Sequence, residues 1–329
     1  RSDYDRSGAS DSWKVGVDAI VHDDWRLRLT RSRDVREPTF QELFDAQGGG
    51  SSVNDPRFNN ASVQTNTVSG GDPNLAPEVG NTLTAGIVWQ PQSIEMLSDL
   101  QVALDWYDIK IEDRVDTLTA QRILDECARS TLFCDRITRD PVTNQLVNVR
   151  QSYMNLSQAA VSGTDLEVSW QTEFSLIGDQ ANTFQLRWLG AYLRESSTTP
   201  FNGTPRDIAG GLGTPEYSQV FTATYGIGRY SFQLQNRYVD STTLNVDWVE
   251  GRDVDINKVS SMNWWNARIG YVGEFNSGSS WSVNFNIQNI LDKEPPVVPS
   301  FSTRGGTQNF HNSFDVFGRR YNLSANYNF

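Results

Sequence analysis

Few residues in this chain have the types and spacing for chemistry. Cys127 and Cys134, the only two cysteines, stand close together in "ILDECARSTLFCDR". In an oxidising compartment such a pair reads as a disulfide stapling one loop. A metal centre would call for more ligands nearby, and no metal is expected. The two histidines fall in unlike settings, His22 in a tight turn and His311 in a long polar stretch. Hydrolytic catalysis asks for a histidine beside a carboxylate or serine, and neither has such a neighbourhood. His311 reads either as lining a ligand path or as a solvated loop side chain. "DVDIN" (253–257) has the alternating acids of a calcium loop but not its glycine or distal glutamate. "GGGSS" (48–52) lacks the strand-then-helix context of a phosphate loop. These residues argue against an enzyme and for binding, with no cofactor.

The elements that must carry them alternate with a period of two. The last stretch, "RRYNLSANYNF" (319–329), puts Tyr321, Leu323, Ala325, Tyr327 and Phe329 on one face and Arg320, Asn322, Ser324, Asn326 and Asn328 on the other. The pattern recurs at 13–21, 25–30, 82–89, 100–106, 164–170, 184–192, 221–225, 230–238, 265–271 and 281–289. With the C-terminal stretch these make about eleven strands, most near the roughly 9–11 residues that cross a bilayer at a tilt. Tight links at 21–24, 226–229 and 276–280 alternate with long polar stretches at 35–77, 116–150, 194–215, 240–260 and 292–313. Short turns at one end and long loops at the other are the pattern of an outer-membrane barrel.

The aromatic residues sharpen that reading. The chain has 10 Trp, 11 Tyr and 16 Phe. Trp25, Trp89, Trp170, Phe184, Tyr225, Tyr230, Tyr271, Trp281 and Phe329 share the apolar face, at the strand end nearest a short turn or the terminus. Rings with one apolar and one polar side favour the headgroup boundary of a bilayer. Arg26, Arg28, Arg187, Arg237, Arg268 and Arg320 fall mid-strand on the opposite face, which must be wet or paired. The fold class is all-β, an antiparallel up-and-down transmembrane barrel whose apolar face meets outer-membrane lipid. A net charge of -12 excludes a nucleic-acid partner. No run of 18 apolar residues suggests a membrane-spanning helix, and "RSDYDRSGAS" is no signal peptide.

Several stretches resemble the C-terminal half of a TonB-dependent outer-membrane receptor. "RDVREPTFQELF" (33–44) resembles the segment where a strand enters a long extracellular loop. "GGDPNLAPEVGNTLTAGIVWQP" (70–91) is similar to the family's Asn-Pro-x-Leu-x-Pro-Glu stretch, reading here Asp72, Pro73, Asn74, Leu75, Ala76, Pro77 and Glu78. "FNIQNILDKEPP" (285–296) resembles its Asn-Leu-Phe-Asp-Lys strand end, with Ile290 and Leu291 in place of Leu and Phe. Terminal Phe329 resembles the signal read by the barrel-assembly machinery.

The resemblance implies a barrel of about 22 strands with a plugged lumen. Residues 1–329 would be its C-terminal part, and the plug domain and first barrel half would not be in this chain. It implies a Gram-negative outer-membrane receptor that imports a scarce solute, most often a ferric siderophore, with energy from TonB acting through the plug. An oligosaccharide importer is the alternative solute class. A passive porin, an outer-membrane enzyme and a secreted β-rich adhesin or lectin are the other classes weighed. The six arginines are expected to face the lumen and plug. Loop residues Phe40, Phe44, Phe58, Trp248, Trp264, Phe301 and His311 are the candidate ligand contacts, packing of the loops on themselves being the other reading of each. Stacking rings suit catecholates and sugar faces alike.

Overall fold

The alternating stretches form strands, and the strands outrun the alternation. The computed structural model describes residues 2–4, 8–175, 182–275, 278–298 and 314–328. Eleven strands follow one another in a single sheet. They are β1 (Trp13–His22), β2 (Trp25–Arg36), β3 (Glu78–Trp89) and β4 (Gln101–Asp116). Then come β5 (Met154–Phe174), β6 (Asn182–Thr199), β7 (Tyr217–Ile227) and β8 (Tyr230–Val239). β9 (Met262–Glu274), β10 (Ser280–Gln288) and β11 (Arg320–Asn328) complete the row. Each pairs antiparallel with the next in chain order, and β1 and β11 are the two edges. The order is that of an up-and-down meander.

Period two gives this sheet two unlike faces. Register carries Val17, Leu29 and Ala85 onto one of them, and Leu27, Ile87, Leu104 and Leu166 in the next row. Among the described residues that face is largely uncovered: Val17 is 60% exposed and Leu323 70%. An apolar surface of this extent is untenable in water and suits hydrocarbon, where all backbone groups must pair within the sheet. Its rings gather at the short-turn end. Trp25 lies 6.0 Å from Trp89, Trp170 5.6 Å from Phe184, and Tyr271 4.9 Å from Tyr230 and 5.3 Å from Trp281. Phe329, expected in the same band, lies outside the described residues.

The opposite face is bound by ions and amides. Arg26 pairs with Asp18, and Arg187 with Glu167 at 3.0 Å. Arg28 reaches over β3 to Asp105 on β4, with its Nε 2.7 Å from the carboxylate. The crossing works because Gly86, opposite both residues, has no side chain; a Cβ there would strike both partners. Arg268 donates to Asn284 at 3.0 Å, and Asn266 to Gln235 at 3.1 Å. Arg237 and Arg320 stand at the long-loop ends of their strands rather than mid-strand. There Arg237 stacks on Trp264, and Arg320 pairs with Asp315. Both keep the parity of the polar face, but the long loop begins within three residues of each.

The buried clusters lie with the loops and loop-end residues of the strands. One gathers Val53, Leu118, Ala120, Ile123, Leu124, Val149 and Met154; the other gathers Val259, Met262, Trp264, Val298 and Phe314. A charge on the apolar face should therefore be costly, while a polar-face change should not. In the full-length protein refolded into lipid vesicles, Leu104→Arg should lose about 2–4 kcal/mol of stability by urea unfolding. Gln235→Ala should lose under about 1 kcal/mol. Equal costs would refute the assignment of faces.

Candidate functional site

The long loops begin from a fixed corner. Arg36, the last residue of β2, bonds through its Nε and Nη2 to Glu78, the first of β3, at 2.7 and 2.6 Å. It also reaches Glu42 at 3.0 and 3.1 Å. Glu78 in turn accepts the backbone N–H of Val115 on β4 at 2.7 Å. One carboxylate thus joins three strands where the first loop leaves the wall. Glu42 also closes a capping box with Thr39 on helix α1 (Phe40–Phe44): each side chain accepts the other's backbone N–H. Gly71 packs against the end of α1, and a side chain there would run into the backbone of Leu43 and Phe44. Glu78, the last residue of the stretch singled out in sequence, is therefore the clamp of this corner.

The first two loops then merge into one lobe. Ala46–Asp55 and Ala61–Gly70 form a hairpin of the first loop. Leu146–Ser152, from the second loop, lies parallel beside Ala61–Gly70, and Ile137–Arg139 adds a fourth strand. Helix α2 (Ala120–Ser130) starts at the Thr119 cap and buries Ile123 and Leu124 against Val53 and Val149. Its Gln121 side chain bonds both backbone groups of Asn54, at 2.7 and 2.9 Å. Cys127 and Cys134 are joined in a disulfide that closes the turn after α2. The third loop docks through Phe201, whose ring meets Phe133 edge-on at 5.0 Å and whose carbonyl accepts from Arg122 at 3.3 Å.

One ion pair crosses the lobe. Arg139 bonds both oxygens of Asp55 at 2.6 and 2.8 Å. The Asp55 side chain is 1% exposed. The Arg139 guanidinium holds this carboxyl below the ordinary aspartate range, against the opposing pull of burial.

The expected ligand residues do not converge. Phe40 and Phe44 share a face of α1 with ring centroids 5.0 Å apart, and Phe40 is 78% exposed. Phe58 sits at the tip of the same loop. Trp248 lines a cavity of about 610 Å³ with Glu216, Asp240, Asn257 and Lys258. Trp264 is buried beneath the fourth and fifth loops with Met262 and Phe314, its ring covered by Arg237. Phe301 and His311 lie outside the described residues. A second cavity, of about 600 Å³, is walled by Asp105, Asp165, Glu167 and Arg237 and roofed by Leu212 and Phe314. Thr242 lines both cavities, and its buried hydroxyl has no hydrogen-bond partner. The three wall acids were open to sequence reasoning, because Asp105, Asp165 and Glu167 share the arginines' strand parity. Thr242 gave no signal. Among the described residues, no group of histidine, cysteine and acidic side chains could hold a metal ion.

An antiparallel meander with a lipid-type outer face, a polar inner face and long structured loops on one side defines the wall of an outer-membrane barrel. Residues 1–290 match the model of the family described as TonB dependent receptor-like, beta-barrel, and the chain belongs to that family. Its place is the outer membrane of a Gram-negative bacterium, and the family is one of receptors and transporters. Among solved structures, the siderophore receptor PirA from Acinetobacter baumannii is similar with a TM-score of 0.64 and 15% identity, over 99% of this chain and 42% of that one. A mutant of the ferric enterobactin receptor PfeA from Pseudomonas aeruginosa gives 0.62 and 13%, over 98% and 40%. The copper transporter OprC gives 0.55 and 16%, over 97% and 39%. The chain thus spans about two fifths of the length of these structures. No curated protein sequence matches it.

The Asp55–Arg139 pair makes the lobe acid-sensitive. A carboxyl whose folded pKa is depressed contributes stability above its unfolded value, near about 3.9, and loses it as pH falls through the lower folded value. Limited proteolysis of the full-length protein should cut the first two loops faster below about pH 4. Asp55→Asn should expose them already at pH 7, at a cost of about 3–5 kcal/mol for breaking a pair whose carboxylate is buried. Loops equally resistant in both proteins would contradict this role.

Proposed function

We propose that this chain is the C-terminal part of a TonB-dependent outer-membrane transport receptor, its plug domain and first barrel half lying outside residues 1–329. The observation that carries this reading is the pairing of a lipid-facing meander with loops built as a packed lobe over one end. A passive pore has no need for a capture lobe with its own core, disulfide and buried ion pair. In this reading the polar face lines the lumen, and Arg26, Arg28, Arg187, Arg237, Arg268 and Arg320 face the plug. TonB acts on the plug with energy from the inner membrane. The barrel-assembly machinery recognises the last strand through Phe329.

The solute class we favour is a ferric siderophore. Two of the structural relatives are receptors for such ligands, and the paired rings of Phe40 and Phe44 offer an exposed surface for stacking on an aromatic chelate. A second reading, an oligosaccharide, is favoured by the Trp248 cavity, where an indole stands among carboxylates, an amide and an ammonium suited to hydroxyl groups. The loop aromatics Phe40, Phe44, Phe58, Trp248, Phe301 and His311 carry the contacts, and Trp264 acts by holding the fourth loop in place.

Calorimetric titration of the full-length purified receptor with ferric catecholates, ferric hydroxamates and neutral oligosaccharides separates the two solute classes. A siderophore receptor should bind one iron chelate, weakened at least about tenfold by Phe40→Ala together with Phe44→Ala, equivalent to about 1.4 kcal/mol. Binding of a sugar, weakened by Trp248→Ala instead, would overturn the siderophore assignment. Binding of none, with solute passing freely through reconstituted protein, would overturn the receptor reading.

A further inference from the structure

The aromatic band at the short-turn end has one gap. Every strand from β2 to β11 places a ring there except β4. That strand opens with Gln101 and Val102, and its first ring on the apolar face is Trp106, further in. The connection that leads into β4 runs from Gln90 to Leu100 and is unlike the two-residue turns at 23–24 and 228–229. It is firmly held. The backbone N–H groups of Gln90 and Gln92 donate to the carbonyl and carboxylate of Asp24, each at 2.8 Å, and Pro91 is buried between them.

What the connection presents is set by Trp170. This residue is on the apolar face, its ring against Phe184, and its indole N–H donates to the Met96 carbonyl at 3.1 Å. The short turn Glu95–Leu97 therefore hangs on the lipid-facing side of the wall, beside the β4 gap. Ile94 and Met96 are 47% and 66% exposed there, while the flanking Gln92, Ser93, Glu95 and Ser98 are polar. An indole held at the headgroup level fixes the depth of what it bonds. We infer that the 92–98 turn is a lipid-contacting foot: Ile94 and Met96 enter the membrane at the periplasmic boundary and complete the band where β4 supplies no ring. The partner is lipid because the surface is continuous with the apolar band on both sides, Trp89 on β3 and Trp170 on β5. This rests on the outer-membrane reading of the chain.

Depth measured on the full-length receptor tests it. Ile94→Cys and Met96→Cys would each carry a nitroxide label, other free thiols having been removed, in vesicles of phosphatidylethanolamine and phosphatidylglycerol. Leu234→Cys on the apolar face and Asp23→Cys in a two-residue turn are the references. Collisions with oxygen should exceed those with a water-soluble nickel chelate at 94 and 96, as at 234, and the order should reverse at 23. If 94 and 96 follow 23 while 234 reads lipid, the foot is wrong and the barrel stands. Were 234 to read water as well, the membrane reading would fall together with the foot.

Discussion

A peptide group in hydrocarbon has no water to bond, so each N–H and C=O that crosses the membrane must find its partner in a neighbouring strand. That requirement governs this chain. It makes the eleven strands a continuous antiparallel ladder and leaves the side chains to satisfy two different solvents on its faces. It also explains where the structure is specific. On the lipid side little but apolarity is asked of Leu27, Ile87 or Leu323. On the other side the contacts are directed, and some depend on a single atom's room, as where the Arg28–Asp105 pair crosses above Gly86.

The loops solve a different problem. Outside the bilayer the ladder is free to end, yet three loops continue as a small protein with an interior of its own. Stability there comes from the ordinary sources, namely an amphipathic helix, a disulfide, a buried ion pair and apolar packing. The Glu78 corner links the two regimes, because the carboxylate that starts β3 also fixes Arg36 and, through it, the cap of α1. A loop lobe resting on such a corner is held to the wall rather than tethered to it.

How much could be read beforehand follows from the range of each interaction. Strand number, facing and the aromatic band are written in local alternation, and the disulfide pairs neighbours in sequence. The lobe is not, because it depends on distant partners: Asp55 with Arg139, and the parallel run of Asn66–Gly70 beside Asn148–Ser152. The strand "AQGGGSSVND" carries no period-two signature, since Val53 is its one large apolar residue to enter the loop core. Trp264 was open to misreading for a related reason. A ring near a strand's loop end looks accessible until the loops fold down over it.

The count of strands has a bearing on assembly. With eleven of them, an odd number, β1 and β11 both run towards the short-turn end. Two copies of this wall set edge to edge would bring those strands together in the parallel sense, against the pairing used everywhere else in the sheet. Antiparallel closure instead needs a complement that begins and ends on strands running the opposite way, and so contributes an odd number itself. Backbone polarity thus fixes the parity of whatever completes the barrel before any side chain is consulted.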